Sequence, residues 1–320
     1  MALNHLVDPE LIRVLEAYPD TELNQDTLAA TRRMRDKQAL EMKAILPKME
    51  EVTQKDYLVP GLAGGPDVSV RVYKPGGQTE KLPGFLWIHG GGYVLGGMDG
   101  DDYPNKLRVQ KTGCVIVSVD YRLAPENPYP APLEDCHAAL QWMFDHADEL
   151  GIDKSRVAIG GASAGGGLAA SLALLVRDRA ELKIIFQMLI YPMIDDRNIA
   201  PASETRPDTL IWSRAKNLFG WTSYLGRPPG KEDITAYEAA ARAKDLSGLP
   251  PALVVVGDLD LFVAENIEYA RRLICAGIPT ELHVYPGAYH GFNGFAPGAA
   301  VSRQCNDTCY RALNKALYQA

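Results

Sequence analysis

Arg156-Val157-Ala158-Ile159-Gly160-Gly161-Ala162-Ser163-Ala164-Gly165-Gly166-Gly167-Leu168-Ala169-Ala170-Ser171-Leu172-Ala173 decides how the rest of the chain is read. Its opening run is strand-like, its alanine- and leucine-rich close is helical, and Gly161-Ala162-Ser163-Ala164-Gly165 forms the turn between them. A strand-to-helix turn this sharp has room only for small neighbours, and it lifts the serine oxygen clear of the backbone. Ser163 also stands at the start of the helix, where backbone N–H groups face any developing negative charge. As a bare pattern G-x-S-x-G is common. Its place between strand and helix makes Ser163 a candidate nucleophile and not one more residue of a glycine-rich turn. A phosphate loop would need a following Gly-Lys-Ser/Thr, and a dinucleotide site an acidic ribose reader; neither is placed here.

Outward from this turn, short apolar runs alternate with helical segments, the pattern of an α/β sheet covered on both faces. Phe85–Ile88, Val115–Val119, Val157–Ile159, Ile184–Ile190 and Leu253–Val256 are continuous apolar runs, as buried parallel strands require. Val68–Tyr73 alternates and is expected as an antiparallel strand near the sheet edge. Helical periodicity falls at about 103–113, 132–147, 165–179, 264–276 and 301–318. Two segments stand outside the alternation: 1–45, read as two helices at 8–18 and 26–45, and 195–228, dense in aromatics. We expect them to form one cap, with 46–194 and 229–320 as the catalytic domain, because an apolar insertion must cover something. Tyr93, Tyr191, Trp212, Phe219 and Trp221 are candidate pocket walls, and each taken alone suits burial in the cap's own packing equally well. A roofed pocket of ordinary size favours acyl chains of roughly two to eight carbons.

The 320 residues include 33 Lys and Arg against 40 Asp and Glu, a net charge of -7, so no positive field draws nucleic acid or anionic lipid. The start lacks a basic and then apolar leader, and no run reaches the ~18 to 20 apolar residues of a bilayer span. A cytoplasmic protein with neither nucleic-acid nor membrane partners is expected. Five cysteines, an odd number, suit a reduced compartment. Cys114 opens an apolar run and reads as a buried small hydrophobe. Cys305 and Cys309 would need further ligands to hold a metal, none lies nearby, and no metal site is expected.

His89-Gly90-Gly91-Gly92-Tyr93 follows the strand Phe85–Ile88, and its glycines let N–H groups turn toward one point, as stabilising an oxyanion demands. A base must follow the serine in the chain. His283 alternates within a last strand and suits packing, whereas His290 falls in the loop beyond it, where a catalytic imidazole belongs. For the acid, the loop after Leu253–Val256 offers both Asp258 and Asp260, and local chemistry does not choose between them.

Together these residues resemble the hormone-sensitive-lipase-like carboxylesterases, the bacterial lipolytic family IV. The likeness runs from about residue 50 to the end through His89-Gly90-Gly91-Gly92, Asp120-Tyr121-Arg122-Leu123-Ala124-Pro125-Glu126, Gly161-Ala162-Ser163-Ala164-Gly165-Gly166 and His290-Gly291-Phe292. The resemblance implies the α/β-hydrolase fold, with a mostly parallel eight-stranded sheet flanked by helices. It implies hydrolysis of small-molecule carboxylic esters without a cofactor, through an acyl-enzyme on Ser163 with His290 as base. It assigns the oxyanion donors to the N–H groups of Gly91, Gly92 and Ala164. The family acid opens an Asp-Pro-Leu-Arg-Asp-Glu segment about 30 residues before the histidine. Alignment of that segment on Glu265 puts the acid at Asp260. The family usually has Asp at the position of Ala162 and Arg-Asp at Val263-Ala264, neither of them a triad position. A homodimer paired through the last strand is the assembly that the resemblance implies. Related plant hormone receptors keep the serine but lack the histidine that His290 supplies here, and epoxide and haloalkane hydrolases carry Asp at the elbow in place of Ser163. Amide hydrolysis would share every catalytic part.

Overall fold

In the computed structural model, which describes residues 5–18, 21–199 and 210–319, a single eight-stranded sheet organises the chain. The strands are β1 (Val52–Val59), β2 (Val68–Pro75), β3 (Leu82–Ile88), β4 (Val115–Asp120), β5 (Ile152–Ala162), β6 (Phe186–Ile190), β7 (Ala252–Gly257) and β8 (Thr280–Tyr285). They lie in the order β1-β2-β4-β3-β5-β6-β7-β8, and every pairing is parallel except β1 with β2 and β2 with β4. The alternating run at Val68–Tyr73 is antiparallel as expected, but it stands one strand in from the edge. The edge itself is β1, in which only Val52 and Val59 are buried.

The continuous apolar runs follow from the pleat, which sends successive side chains to opposite faces. In β3, Leu86 and Ile88 enter one apolar cluster while Phe85 and Trp87 enter the other. Two helical layers cover these faces. Helices α1 (Pro9–Ala17), α3 (Asp102–Thr112) and α10 (Ala300–Tyr318) meet the Phe85 face through Leu11, Val109 and Leu313. Helices α4 (Ala131–Asp145), α6 (Ala164–Arg179) and α8 (Val263–Cys275) meet the Leu86 face through Leu140, Leu172 and Leu273. Among the described residues, the remaining α-helices are α2 (Leu28–Ile45), α7 (Arg214–Leu225) and the single turns α5 (Ala147–Leu150) and α9 (Phe292–Phe295). Full burial of each such leucine stabilises the fold by about 1.5–3 kcal/mol.

Strands β3, β5, β6, β7 and β8 run in the same direction, so the loops that follow them gather along one rim, where parallel sheets place their sites. Within the segments expected as cap, residues 1–4, 19–20 and 200–209 lie outside the described residues. Helix α1 is fastened to the loop after β8: Asp8 N donates to Gly287 O at 3.0 Å, and Tyr289 Oη donates to Leu11 O at 3.3 Å. Helix α7 packs through Trp221 and Tyr224 against Tyr93. Among the described residues, no helix is long and apolar enough to cross a membrane.

Candidate active site

Ser163 sits between β5 and α6 with φ 57° and ψ -121°, a backbone conformation costly for any residue with a side chain. Two backbone groups of neighbouring segments hold it there: Ser163 N donates to Ile190 O at 2.9 Å, and Ser163 O accepts from Met193 N at 3.0 Å. The close approach depends on Gly165, where a Cβ would strike the carbonyl oxygens of Ile88 and His89. The strain lifts Oγ to within 2.9 Å of His290 Nε2. On the far side of the imidazole, Nδ1 lies 2.7 Å from Asp260 Oδ2. A carboxylate there fixes the proton on Nδ1 and leaves Nε2 free to accept from the serine hydroxyl. The three residues are 5%, 6% and 1% exposed, respectively for Ser163, His290 and Asp260.

The two aspartates left open by local chemistry have different partners. Asp260 turns toward the imidazole, and its other oxygen accepts from Phe262 N at 2.9 Å. Asp258 accepts from Gly287 N at 2.8 Å, which ties the loop after β7 to the loop that carries His290. His283 lies in β8 with Nε2 2.6 Å from Glu281 Oε1, away from Ser163 in the hydrogen-bond network.

The loop after β3 coils tightly: Gly91 and Gly92 have φ 125° and 61°, and Gly91 O accepts from Val94 N at 3.2 Å and Leu95 N at 2.9 Å. Among the described residues, no hydrogen bond takes up the N–H of Gly91, Gly92 or Ala164. His89 faces away, stacked on Tyr121 with centroids 4.2 Å apart.

Three aromatic rings surround the imidazole of His290, with centroid distances of 4.8 Å for Tyr191, 5.1 Å for Phe262 and 6.4 Å for Trp212. Trp212 also lies against the loop after β3, since a Cβ on Gly92 would run into its ring. Of the five aromatics singled out in the sequence, Tyr191 and Trp212 are therefore brought to the site. Tyr93 instead donates to Met193 O at 2.8 Å and stacks on Tyr224 at 4.1 Å, with Trp221 beside it. Phe219 is partly buried against the same apolar cluster.

Sequence reasoning missed Phe262 and a polar chain behind the site. Glu265 accepts from Ile194 N at 2.9 Å and from Asn198 Nδ2 at 2.7 Å, and the same Asn198 amide donates to Leu261 O in the loop after β7. Asn217 Nδ2 donates to Asn198 O at 2.7 Å and Asn217 Oδ1 accepts from Trp212 Nε1 at 3.2 Å, so the chain ends at a ring beside His290. Burial raises the Glu265 carboxyl well above the usual carboxylate range. Glu265 entered the sequence reading only as the alignment anchor for Asp260, and Asn198 and Asn217 carry no local mark, because Asn198 joins partners 63 and 67 positions away and Asn217 one 19 away. Among the described residues, no group of three or more His, Cys, Asp or Glu is gathered to hold a metal ion.

The family profile of the alpha/beta hydrolase fold matches residues 85–294. Over 320 residues the chain is 33% identical to esterase LipI of Mycobacterium tuberculosis, covering 98% of this chain and 96% of that one. Over 317 residues it is 34% identical to carboxylesterase NlhH of the same species, covering 98% and 97%. Among solved structures, a bacterial heroin esterase superposes with a TM-score of 0.92 at 38% identity, covering 98% of each chain.

Proposed function

Because the chain belongs to the α/β-hydrolase fold family, in its hormone-sensitive-lipase-like group, and is a carboxylic ester hydrolase, we propose that Ser163, His290 and Asp260 form its catalytic triad. The observation that carries this reading is the buried pair of contacts from Asp260 Oδ2 to His290 Nδ1 and from His290 Nε2 to Ser163 Oγ. His290 takes the serine proton as Oγ attacks the ester carbonyl, and Asp260 holds the tautomer and stabilises the imidazolium. The N–H groups of Gly91, Gly92 and Ala164 receive the oxyanion. His290 then delivers its proton to the departing alcohol, and a water activated in the same way releases the acid and frees Ser163.

The substrates of this reading are esters of short- to medium-chain acids, roughly two to eight carbons, under a cap built from 1–45 and 195–228. The rings of Trp212, Tyr191 and Phe262 about His290 support it, since they bound the space in which an acyl group can lie. The experiment is fluorophosphonate labelling with an acyl-chain series of p-nitrophenyl esters. The probe should modify Ser163, and Ser163→Ala should lower kcat by roughly 10⁴-fold or more with the fold intact. Near-wild-type turnover by that variant, or a preference for emulsified long-chain triglyceride, would contradict the triad or the pocket respectively.

A further inference from the structure

Arg32, on the N-terminal helix α2, reaches the loop after β3 from outside the site. Its Nε donates to Val94 O at 2.8 Å and its Nη2 to Ala124 O at 2.8 Å. Glu126 grips the same guanidinium with both oxygens, at 2.7 and 2.9 Å, and thereby fixes the plane of the fork. Ala124 N in turn donates to Tyr93 O at 3.0 Å, so the two carbonyls on the outer side of the loop are both held.

The bond to Val94 O has a definite continuation. The peptide unit containing Val94 O also contains the N–H of Leu95, which donates to Gly91 O at 2.9 Å. The unit containing Gly91 O in turn contains the N–H of Gly92. A cation at one end of such a series polarises each unit in turn, by about 10–30% per bond, and more effectively where water is excluded. Val94 is 0% exposed and Leu95 6%. We propose that Arg32 is a positioning residue for the oxyanion hole, acting through the series Arg32 Nε, Val94–Leu95, Gly91–Gly92 to aim and polarise the Gly92 N–H. The inference rests on the reading of Gly92 as an oxyanion donor. It makes the N-terminal helix part of the catalytic apparatus, touching neither substrate nor triad.

A residue that merely fastened the cap would change substrate binding and stability. One that tunes the oxyanion hole changes the affinity for the tetrahedral anion. The test therefore compares Arg32→Gln and Arg32→Lys with Arg35→Gln, which removes another cation of α2 that lies over the rings of Tyr18 and Phe295. The readouts are kcat and KM on p-nitrophenyl butyrate and the Ki of a trifluoromethyl ketone, which becomes a tetrahedral oxyanion on the serine. For Arg32→Gln, kcat should fall about tenfold with KM nearly unchanged, less than the 10²–10³ of losing a direct oxyanion donor. The Ki should rise by the same factor that kcat/KM falls, Arg32→Lys should lie between, and Arg35→Gln should leave kcat and Ki as in the wild type. An unchanged Ki in Arg32→Gln, a loss confined to KM, or an equal loss in Arg35→Gln would overturn the inference while leaving the triad in place. Failure of the wild type to bind the ketone through Ser163 would overturn the underlying reading and the inference together.

Discussion

The rim of the sheet and helix α2 are held in opposite ways. At the rim, Ser163, Asp260 and His290 are almost wholly enclosed, and each loop is fixed by backbone bonds to a neighbouring strand end or loop, such as Ser163 N to Ile190 O and Asp258 N to Tyr285 O. In α2, only Leu28 of the 18 residues is buried, and Leu40, Met42 and Ile45 are 62%, 48% and 76% exposed. A segment with so few buried contacts opens at low free energy, whereas strand ends in the core open only with the whole fold. Rate should therefore be set at the rim, and access and fine adjustment by the helix.

The sharpest test of the rim lies in the two aspartates. Asp260→Asn should cost on the order of 10³ to 10⁴ in kcat by spoiling the imidazole tautomer. Asp258→Asn should cost about tenfold or less, because an amide oxygen can still accept from Gly287 N. Steady-state kinetics of the two variants side by side decides the matter, and the reverse ranking would move the acid to Asp258. Deleting residues 1–45 probes the other region and should lower kcat/KM by about ten- to a hundredfold, since small displacements around a site cost rates of that order. The melting temperature should drop as well, because Leu11 and Leu28 leave the core. Ser163 should nevertheless remain labelled by a fluorophosphonate. Truncated protein that works as well as the intact chain would remove the distinction between the regions.

The smallest expected effect concerns Glu265. Its carboxyl is raised by burial, so its share of stability is full below the unfolded-state value and declines as pH rises toward the raised folded-state value. Thermal melts of wild type and Glu265→Gln between about pH 5 and 8 should show the wild type's advantage narrowing as pH increases. A widening gap would mean that the three donors from Ile194, Asp195 and Asn198 hold the carboxylate ionised.

What the sequence made legible follows the range over which each signal acts. Strands β3 to β7 declare themselves because both faces are covered, and the elbow because one turn demands Gly161, Gly165 and Ser163 together. Edge strand β1, Val-Thr-Gln-Lys-Asp-Tyr-Leu-Val, carries no such mark, since most of its side chains remain in water. Asp260 was separable from Asp258 by family resemblance alone; the physical difference, one carboxylate facing an imidazole and the other a backbone N–H, arises between loops 30 residues apart. Arg32 was invisible for the same reason, with partners 62 and 92 positions away. Of the aromatics, Tyr93 and Tyr191 both follow strand ends, yet they point to different sides of the rim.

The attachment of α1 to the loop that bears His290 makes the two ends of the chain mechanically unequal. Asp8 N to Gly287 O and Tyr289 Oη to Leu11 O join the helix to both sides of that loop's turn. A tether that pulls on the protein through α1 therefore loads the loop that holds the imidazole in register. The last helical residue, Tyr318, lies instead beside Gly113 and Arg156, near the starts of β4 and β5 and away from the rim. Load applied at the Tyr318 end of α10 enters beside the starts of β4 and β5, while load applied through α1 enters the loop that carries His290.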